Sequence, residues 1–212
     1  MKTNTSFLEI KIHSSNGGIQ SFPQNDPQAI QQTLDRIQPE RLFAQREIIL
    51  ATDYSQTVYP ASAIARLDLV MDGFPAWPFH RNVADIIEIT QSEFARGFAS
   101  HLPRVEADGT TRVFSEMELA NGQRLFREVR LKPSRANTEA EQETLPDDQA
   151  LFLHQLLSRH GLWCRLRGGG AVLVNPAHLV RMTFYRGPGT IPPNAWRVQG
   201  AMDHSSYALA GV

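Results

Sequence analysis

LVNPAHLVRMTFY, residues 173–185, has a counterpart more than a hundred residues earlier in TVYPASAIARLDLV, residues 57–70. In the two closing apolar segments, four residues of one stretch match four of the other at a constant offset: Ile64, Arg66, Leu67 and Leu69 against Leu179, Arg181, Met182 and Phe184. The prolines Pro60 and Pro176 lie one position out of that register. A duplicated unit explains the similarity, and so does independent use of one strand–turn–strand pattern.

The first half of the chain predicts a hairpin, a helix and two further strands. In FLEIKIH, residues 7–13, apolar and polar residues alternate as they do in a half-buried strand. An Asn-Gly pair at 16–17 favours a tight turn into a second strand, because both residues tolerate positive φ. Asp26 followed by Pro27 is typical of a helix start, where Asp accepts hydrogen bonds from free N–H groups and Pro lacks one. The two further strands are predicted in REIILATD and QTVYPASAIARLDLVM.

The second half repeats this order. VFSEMEL, an Asn-Gly turn at 121–122 and RLFREVRL predict a hairpin, and PDDQALFLHQLLSRHG, residues 146–161, predicts a helix. LWCRLR and AVLVNPAHLVRMTFY then predict the closing strands, joined by glycines at 168–170. Between the halves lie a proline- and aromatic-rich connection, a strand and a helix. Thr90 and Glu93 fit a capping box at the start of that helix.

These patterns predict an α+β protein made of two mainly antiparallel sheet modules, each of β-β-α-β-β order with a covering helix. We expect the first module at 1–72 and the connection, strand and helix at 73–110. The second module is expected at 111–190, and an irregular tail at 191–212.

Composition predicts an ordinary globular protein. Of the 212 residues, 42% are hydrophobic and 20% charged, with a net charge of −1. Cys164 is the only cysteine, so an intrachain disulfide and a multi-cysteine zinc site are excluded. The apolar runs are far shorter than the ~20 residues needed to span a bilayer, and the N-terminus has no apolar core of a secretory signal. We therefore expect a cytoplasmic protein with no membrane association.

The C-terminal region is basic although the chain is nearly neutral. From Gln149 to Met202 there is no acidic residue and there are six arginines. The candidates for binding an anion or nucleic acid are Arg165, Arg167, Arg181 and Arg186. The alternative is that these arginines form salt bridges with the acidic N-terminal half of the chain.

Two stretches share an order of helix, strand and a further strand, which in the first stretch carries "VN": ALFLHQLLSRHGLWCRLRGGGAVLVNPAHLVRM (150–182) and, more loosely, AIQQTLDRIQPERLFAQREIILATDYSQTVYPASAIARL (29–67). Together they cover about a third of the chain, and they resemble the LytTR-type DNA-binding domain of bacterial regulators. The resemblance implies DNA binding in transcription. Just before the "VN" strand, however, the family's basic motif is replaced by Arg165-Leu-Arg167 and three glycines, so its DNA-contacting positions do not carry over.

No catalytic or metal-binding pattern is present. The glycines at 168–170 precede a strand, whereas a phosphate-binding loop leads into a helix. His154 and His160 lie six residues apart on one predicted helix and point to different sides. Cys164 lies between Trp163 and Arg165 in an alternating strand and fits an inert buried thiol. We therefore predict no catalytic residue, metal or cofactor.

A cluster of aromatics, Phe74, Trp77 and Phe79, either packs over the core or forms an interaction patch. The leading functional prediction is a non-catalytic interaction module that forms a homodimer, since small sheets need their edges protected. The alternatives are nucleic-acid binding through the arginine-rich half, and an enzyme site between the modules using His80, His178 or Arg181.

Overall fold

A computed structural model describes residues 7–52, 54–79, 83–99, 105–132, 159–185, 196 and 198. Its strands in chain order are β1 Leu8–Ser14, β2 Ile19–Gln24, β3 Glu47–Ala51, β4 Gln56–Pro60, β5 Ile64–Val70, β6 Val83–Ile89, β7 Thr111–Leu119, β8 Arg124–Leu131, β9 Leu162–Arg165, β10 Gly170–Val174 and β11 Leu179–Tyr185. The α-helices are α1 Pro27–Arg36 and α2 Gln91–Ala99, and 3₁₀ turns occupy Leu42–Ala44, Ala61–Ala63 and Pro176–His178. No helix in these ranges is long and apolar enough to cross a membrane.

The α+β class is confirmed, but the expectation of two separate sheet modules is wrong. Nine strands form one sheet in the order β11-β7-β8-β6-β9-β10-β5-β1-β2, and β3 and β4 form a separate hairpin. The halves merge because β10 of the second half pairs antiparallel with β5 of the first, and β6 pairs with both β8 and β9. Each half thus completes the other's sheet, which removes two edges that separate modules would leave unpaired.

The two halves nevertheless use the same strand connections. In the first half, β1 pairs with β2 and with β5, while β3 and β4 form a hairpin. In the second half, β7 pairs with β8 and with β11, while β9 and β10 form a hairpin. A proline-containing 3₁₀ turn precedes β5 and another precedes β11, in the two stretches that resemble each other in sequence. This shared order supports an internal duplication, which stays a proposal.

Both described helices begin where the sequence predicts. The Asp26 side chain accepts hydrogen bonds from the N–H groups of Gln28 and Ala29, and Pro27 is the first residue of α1. Thr90 and Glu93 form the capping box that begins α2. The helix predicted at 146–161 lies outside the described residues, except for its last three positions. The expected tail at 191–212 also lies outside them, apart from residues 196 and 198.

The nine-stranded sheet is strongly curled. Gln123, directly before β8, donates from Nε2 to Nδ1 of His13 on β1 over 2.8 Å. In the sheet order these strands are five spacings apart, which is about 24 Å in a flat sheet. The contact therefore requires the sheet to bend until its strands face each other. We call the inner side of this bend the concave face.

Buried apolar side chains cover both faces of the sheet. On the convex face, α1 packs through Ile30 and Leu34 against β1, β5 and β10, and α2 packs through Phe94 against Phe114 and Phe126. The concave face carries a second apolar cluster, which includes Val113, Met117, Leu125, Val129, Cys164, Val172 and Val174.

Candidate functional site

The concave face holds a set of charged and polar residues, of which His13 and Asp68 are buried and Arg66, Glu88 and Gln123 partly buried. We call this set the charge network. Arg66 and Asp68 lie two residues apart on β5 and so share a face. His13 is the register partner of Arg66 on β1, which places it on the same face. Glu88 comes from β6, three strand spacings away, and reaches Arg66 because the sheet curls.

Arg66 is the centre of the charge network. Its guanidinium donates to both oxygens of Asp68, over 2.6 and 3.1 Å, and to both oxygens of Glu88, over 3.0 and 2.9 Å. Asp68 also accepts a hydrogen bond from Nε2 of His13 over 3.0 Å. Every charged group of the charge network therefore has an oppositely charged or hydrogen-bonding partner, as buried charges require.

Burial and charge shift the pKa values of this network in different directions. Burial alone would raise the pKa of Asp68, but hydrogen bonds from His13 and Arg66 outweigh it and hold that pKa below its ordinary value. For Glu88 burial is the larger effect, and its pKa is raised despite the pairing with Arg66. Burial lowers the pKa of Arg66, but the two carboxylates overcompensate and the net shift is upward.

The hydrogen bonds of His13 favour a structural role over a catalytic one. Nε2 contacts Asp68 and Nδ1 contacts Gln123, which fits the tautomer that carries its proton on Nε2. A general base needs a nitrogen lone pair directed at a substrate. In this arrangement the only lone pair already accepts a hydrogen bond from the Gln123 amide.

Arg127 lies beside the charge network but is not bonded to it. The residue is only 3% exposed and is the register partner of Glu88 on one side and Ser115 on the other. Both oxygens of Glu88 accept from Arg66. The hydrogen-bond partner described for Arg127 is the thioether sulfur of Met182, at 3.7 Å, and its Nε has none.

The structure pairs three of the four candidate arginines with acidic residues. Arg165 donates to Asp85, Arg167 to Glu93, and Arg181 to Glu118 over 2.8 Å. Their side chains remain 50–58% exposed. The three acids belong to β6, α2 and β7, so the arginines do not converge on one site. Arg186 lies outside the described residues.

The aromatic cluster is placed against the convex-face core. Phe79 stacks on Trp163 with ring centroids 4.0 Å apart. Trp77 meets the same Trp163 edge-on at 5.5 Å, and Phe74 meets Trp77 edge-on at 4.9 Å. The three aromatics are partly buried in these contacts.

The two described candidates for an enzyme site, His178 and Arg181, have separate structural partners. His178 donates from Nε2 to the carbonyl of Ser62, while Arg181 pairs with Glu118 on β7. His80 lies outside the described residues. Cys164 is buried, and burial raises its pKa to about 12, so the thiol stays protonated. Within the described part of the chain, no three His, Cys, Asp or Glu residues lie close enough to hold a metal ion.

The β3–β4 hairpin presents apolar residues to solvent. Ile49 and Val58 are register partners on its outward side and are 54% and 55% exposed. Tyr54 at the tip is 98% exposed. On the inward side Ile48, Leu50 and Tyr59 pack against the convex-face core. We call the surface formed by Ile49 and Val58 the hairpin face.

Sequence reasoning missed both the charge network and the hairpin face. The available signal for the first was Arg66 and Asp68 inside the otherwise apolar strand IARLDLV, where two charges share one face of a buried strand. Comparison of the chain with protein families, with curated proteins and with solved structures finds no match.

Proposed function

We propose that this protein is a non-catalytic interaction module that docks through the hairpin face. The observation that carries the proposal is the exposure of two large apolar residues, Ile49 and Val58, directly across from each other on one side of a hairpin. Isolated exposed apolar residues are common on soluble proteins, but a contiguous pair on a hairpin whose tip also exposes Tyr54 is a feature of docking surfaces.

Comparison with the second half strengthens this proposal. Hairpin β9–β10 has the same position in the order of connections as β3–β4. Its strand β10 is buried at every residue, since it lies inside the nine-stranded sheet between β9 and β5. Strand β4 is exposed at three of its five positions. If a partner covered the hairpin face, the exposed side of β3–β4 would become buried, as β10 already is within the chain.

The partner we propose is a second copy of this chain. Arg46 and Glu47 lie at the start of the hairpin, so the surface carries both signs of charge beside its apolar pair. A two-fold contact requires such a self-complementary surface. The net charge of −1 adds little repulsion between copies.

The test is the molar mass of the wild-type protein and of Ile49→Lys, measured by sedimentation equilibrium at micromolar concentration. We expect a wild-type dimer. In the variant the dissociation constant should rise by tenfold or more, because losing one buried aliphatic side chain from each copy removes about 1.5–3 kcal/mol per copy. Val180→Lys is the matched control: Val180 is 63% exposed on β11, a strand outside the hairpin, and its variant should remain a dimer.

A wild-type monomer at tens of micromolar, or an unchanged dimer in Ile49→Lys, would contradict the proposal. Nucleic-acid binding has less support, because the three described arginines among the four predicted to provide it are bonded to acids within the chain.

A further inference from the structure

Arg127 is a buried cation whose hydrogen-bonding capacity is mostly unused among the described residues. A guanidinium has five N–H donors and stays protonated in proteins. Arg127 is 3% exposed, and burial lowers its pKa, which reflects how unfavourable the charge is at this position. The sulfur of Met182 is a weak acceptor and contacts only one of the donors.

The carboxylates of the concave face are already bonded elsewhere. Arg66 holds both oxygens of Glu88 and both oxygens of Asp68. Two carboxylates therefore surround one guanidinium, while the second guanidinium, that of Arg127, has no carboxylate bonded to it among the described residues. The thiol of Cys164, which also lies near Arg127, is neutral at physiological pH because burial raises its pKa.

A second unused polar group lies across from Arg127. Ser115 on β7 is its register partner, so both side chains point into the concave face. Ser115 is fully buried, and its hydroxyl has no hydrogen-bond partner among the described residues. The Nε of Arg127 is likewise buried without one. Buried polar groups without partners are rare in folded proteins, and two on facing positions indicate that an acceptor is missing.

The surroundings of this pair are apolar and include one adaptable side chain. Val113, Val129 and Met117 are buried on the same face, and Met182 and Phe184 of β11 pack against them. The flexible thioether of Met182 can change rotamer, which would free the Nη2 and Nε edge of the guanidinium. That edge is the one that binds a carboxylate through two parallel hydrogen bonds.

We infer that Arg127 and Ser115 form a binding site on the concave face for the carboxylate of a small aliphatic monocarboxylic acid. The two guanidinium donors bind the two carboxylate oxygens, and the Ser115 hydroxyl donates to one of them. The short aliphatic chain packs against the valines and methionines around the site. Met182 moves aside when the acid binds.

The experiment measures the thermal unfolding temperature of the full chain against the concentration of sodium acetate, butyrate and hexanoate, at constant ionic strength set with sodium chloride. A ligand that binds the folded state raises this temperature saturably. We expect a rise that increases with chain length, and a much weaker effect of hexanamide, which presents a single neutral carbonyl oxygen. Arg127→Met should weaken hexanoate binding about tenfold or more, and Ser115→Ala severalfold.

Arg130→Met is the matched control. Arg130 lies on the same strand, its side chain is 46% exposed, and it pairs with Glu128. This substitution removes one positive charge from β8 and should leave the hexanoate effect unchanged. If Arg127→Met does not fold, Arg127→Lys keeps the charge but loses the two-pronged geometry, and it should also bind hexanoate more weakly than wild type.

Three results would overturn the inference: no saturable stabilisation of the wild type by any of the acids at millimolar concentration, an equal response in the Arg127 variants, or equal binding of hexanamide. The wild type also offers a direct readout. In a ¹H–¹⁵N spectrum of arginine side chains, the Nε–H resonance that is absent from the Arg127 variants should shift on addition of hexanoate, and a resonance that does not move would contradict direct contact.

Discussion

Asp68 joins two hydrogen-bonding groups of the curled sheet, since it accepts from Arg66 on its own strand and from His13 on the neighbouring one. The side chain is only 8% exposed. Replacing it by asparagine leaves Arg66 with one carboxylate and puts an NH2 group, which cannot accept a hydrogen bond, in place of one of the two oxygens that accept from Arg66 and His13. Removing one partner of a buried ionic network is costly, because the remaining charge stays buried with too few partners.

We therefore expect Asp68→Asn to lower the free energy of unfolding by about 3 kcal/mol at pH 7. The pKa of Asp68 is lowered in the folded state, so its contribution is present above the unfolded pKa and is lost as pH falls through the folded one. The difference between wild type and variant should therefore narrow below about pH 4. Urea unfolding at a series of pH values measures this difference.

The ionised form of Glu88 has the opposite effect on stability from that of Asp68, because the raised pKa of Glu88 means that the folded state favours its protonated form.

Asp35→Asn, on the exposed surface of α1, is the control for Asp68 and should change stability little at any pH. A difference for Asp68→Asn that is small at pH 7, or that grows as pH falls, would show that the carboxylate does not stabilise the network.

Gly170 is required by backbone conformation and by space. Its φ is +115°, which residues with a side chain rarely adopt. A Cβ there would collide with the carbonyl oxygen of Leu69 on the paired strand β5. We expect Gly170→Ala to destabilise the protein by about 3 kcal/mol or more, since strain and collision add.

Gly168 is its control, two residues earlier in the same turn. A Cβ at Gly168 meets no atom within 4 Å. Gly168→Ala should change the free energy of unfolding by about 0.5 kcal/mol or less, measured by the same urea titration. Equal effects of the two substitutions would argue against the close approach of β10 to β5.

At the scale of elements, the two 3₁₀ turns that precede β5 and β11 are joined by Asn175. Its side chain donates to the carbonyls of Ala61 and Ile64, over 3.1 and 3.0 Å, and accepts from the N–H of Ala177 over 3.0 Å. Because Asn175 is only 4% exposed, these groups have no ready access to water if the side chain is removed. The residue therefore connects the two stretches that resemble each other in sequence.

We expect Asn175→Ala to lower the free energy of unfolding by about 2–3 kcal/mol, because it leaves buried carbonyl groups without donors. The measurement is urea-induced unfolding followed by circular dichroism. Asn16→Ala removes a single exposed hydrogen bond to Gly18 and should cost about 0.5 kcal/mol or less. A loss for Asn175→Ala no larger than that of Asn16→Ala would refute this role.

At the scale of the whole molecule, the merging of the two halves into one sheet predicts cooperative unfolding. Strand β10 cannot leave β5 without exposing both faces of the sheet, and the charge network joins β1, β5 and β6 on the concave side. We expect a single two-state transition in urea. Tryptophan fluorescence, which includes buried Trp163, and far-ultraviolet circular dichroism should then give coincident curves.

Two separated transitions would contradict this expectation, because they would mean that each half is stable without the other. The same measurement on Gly170→Ala is informative. If the halves are coupled through β10 and β5, this variant should lower the midpoint of the single transition and should not split it in two.

Strands, turns and helix starts were predictable from the sequence because local chemistry decides them. Alternation in FLEIKIH requires one buried and one solvent-facing side, and Asp26 with Pro27 satisfies the free N–H groups of a helix start wherever that helix packs. The candidate arginines were identified by counting charge along the chain. That count cannot reveal that Asp85 and Glu93, distant in sequence, lie beside Arg165 and Arg167.

By itself, the sequence determined the local elements and the repeated order of hairpin and closing strands. Only the tertiary structure decided that the halves share one sheet and that it curls until Gln123 meets His13. It also decided that Arg66 receives two carboxylates while Arg127 receives none from the described part of the chain. The physical reason is the distance along the sequence over which each interaction acts. Hydrophobic period and backbone capping act within a few residues, whereas strand pairing and charge burial depend on groups that come together only after the chain has folded.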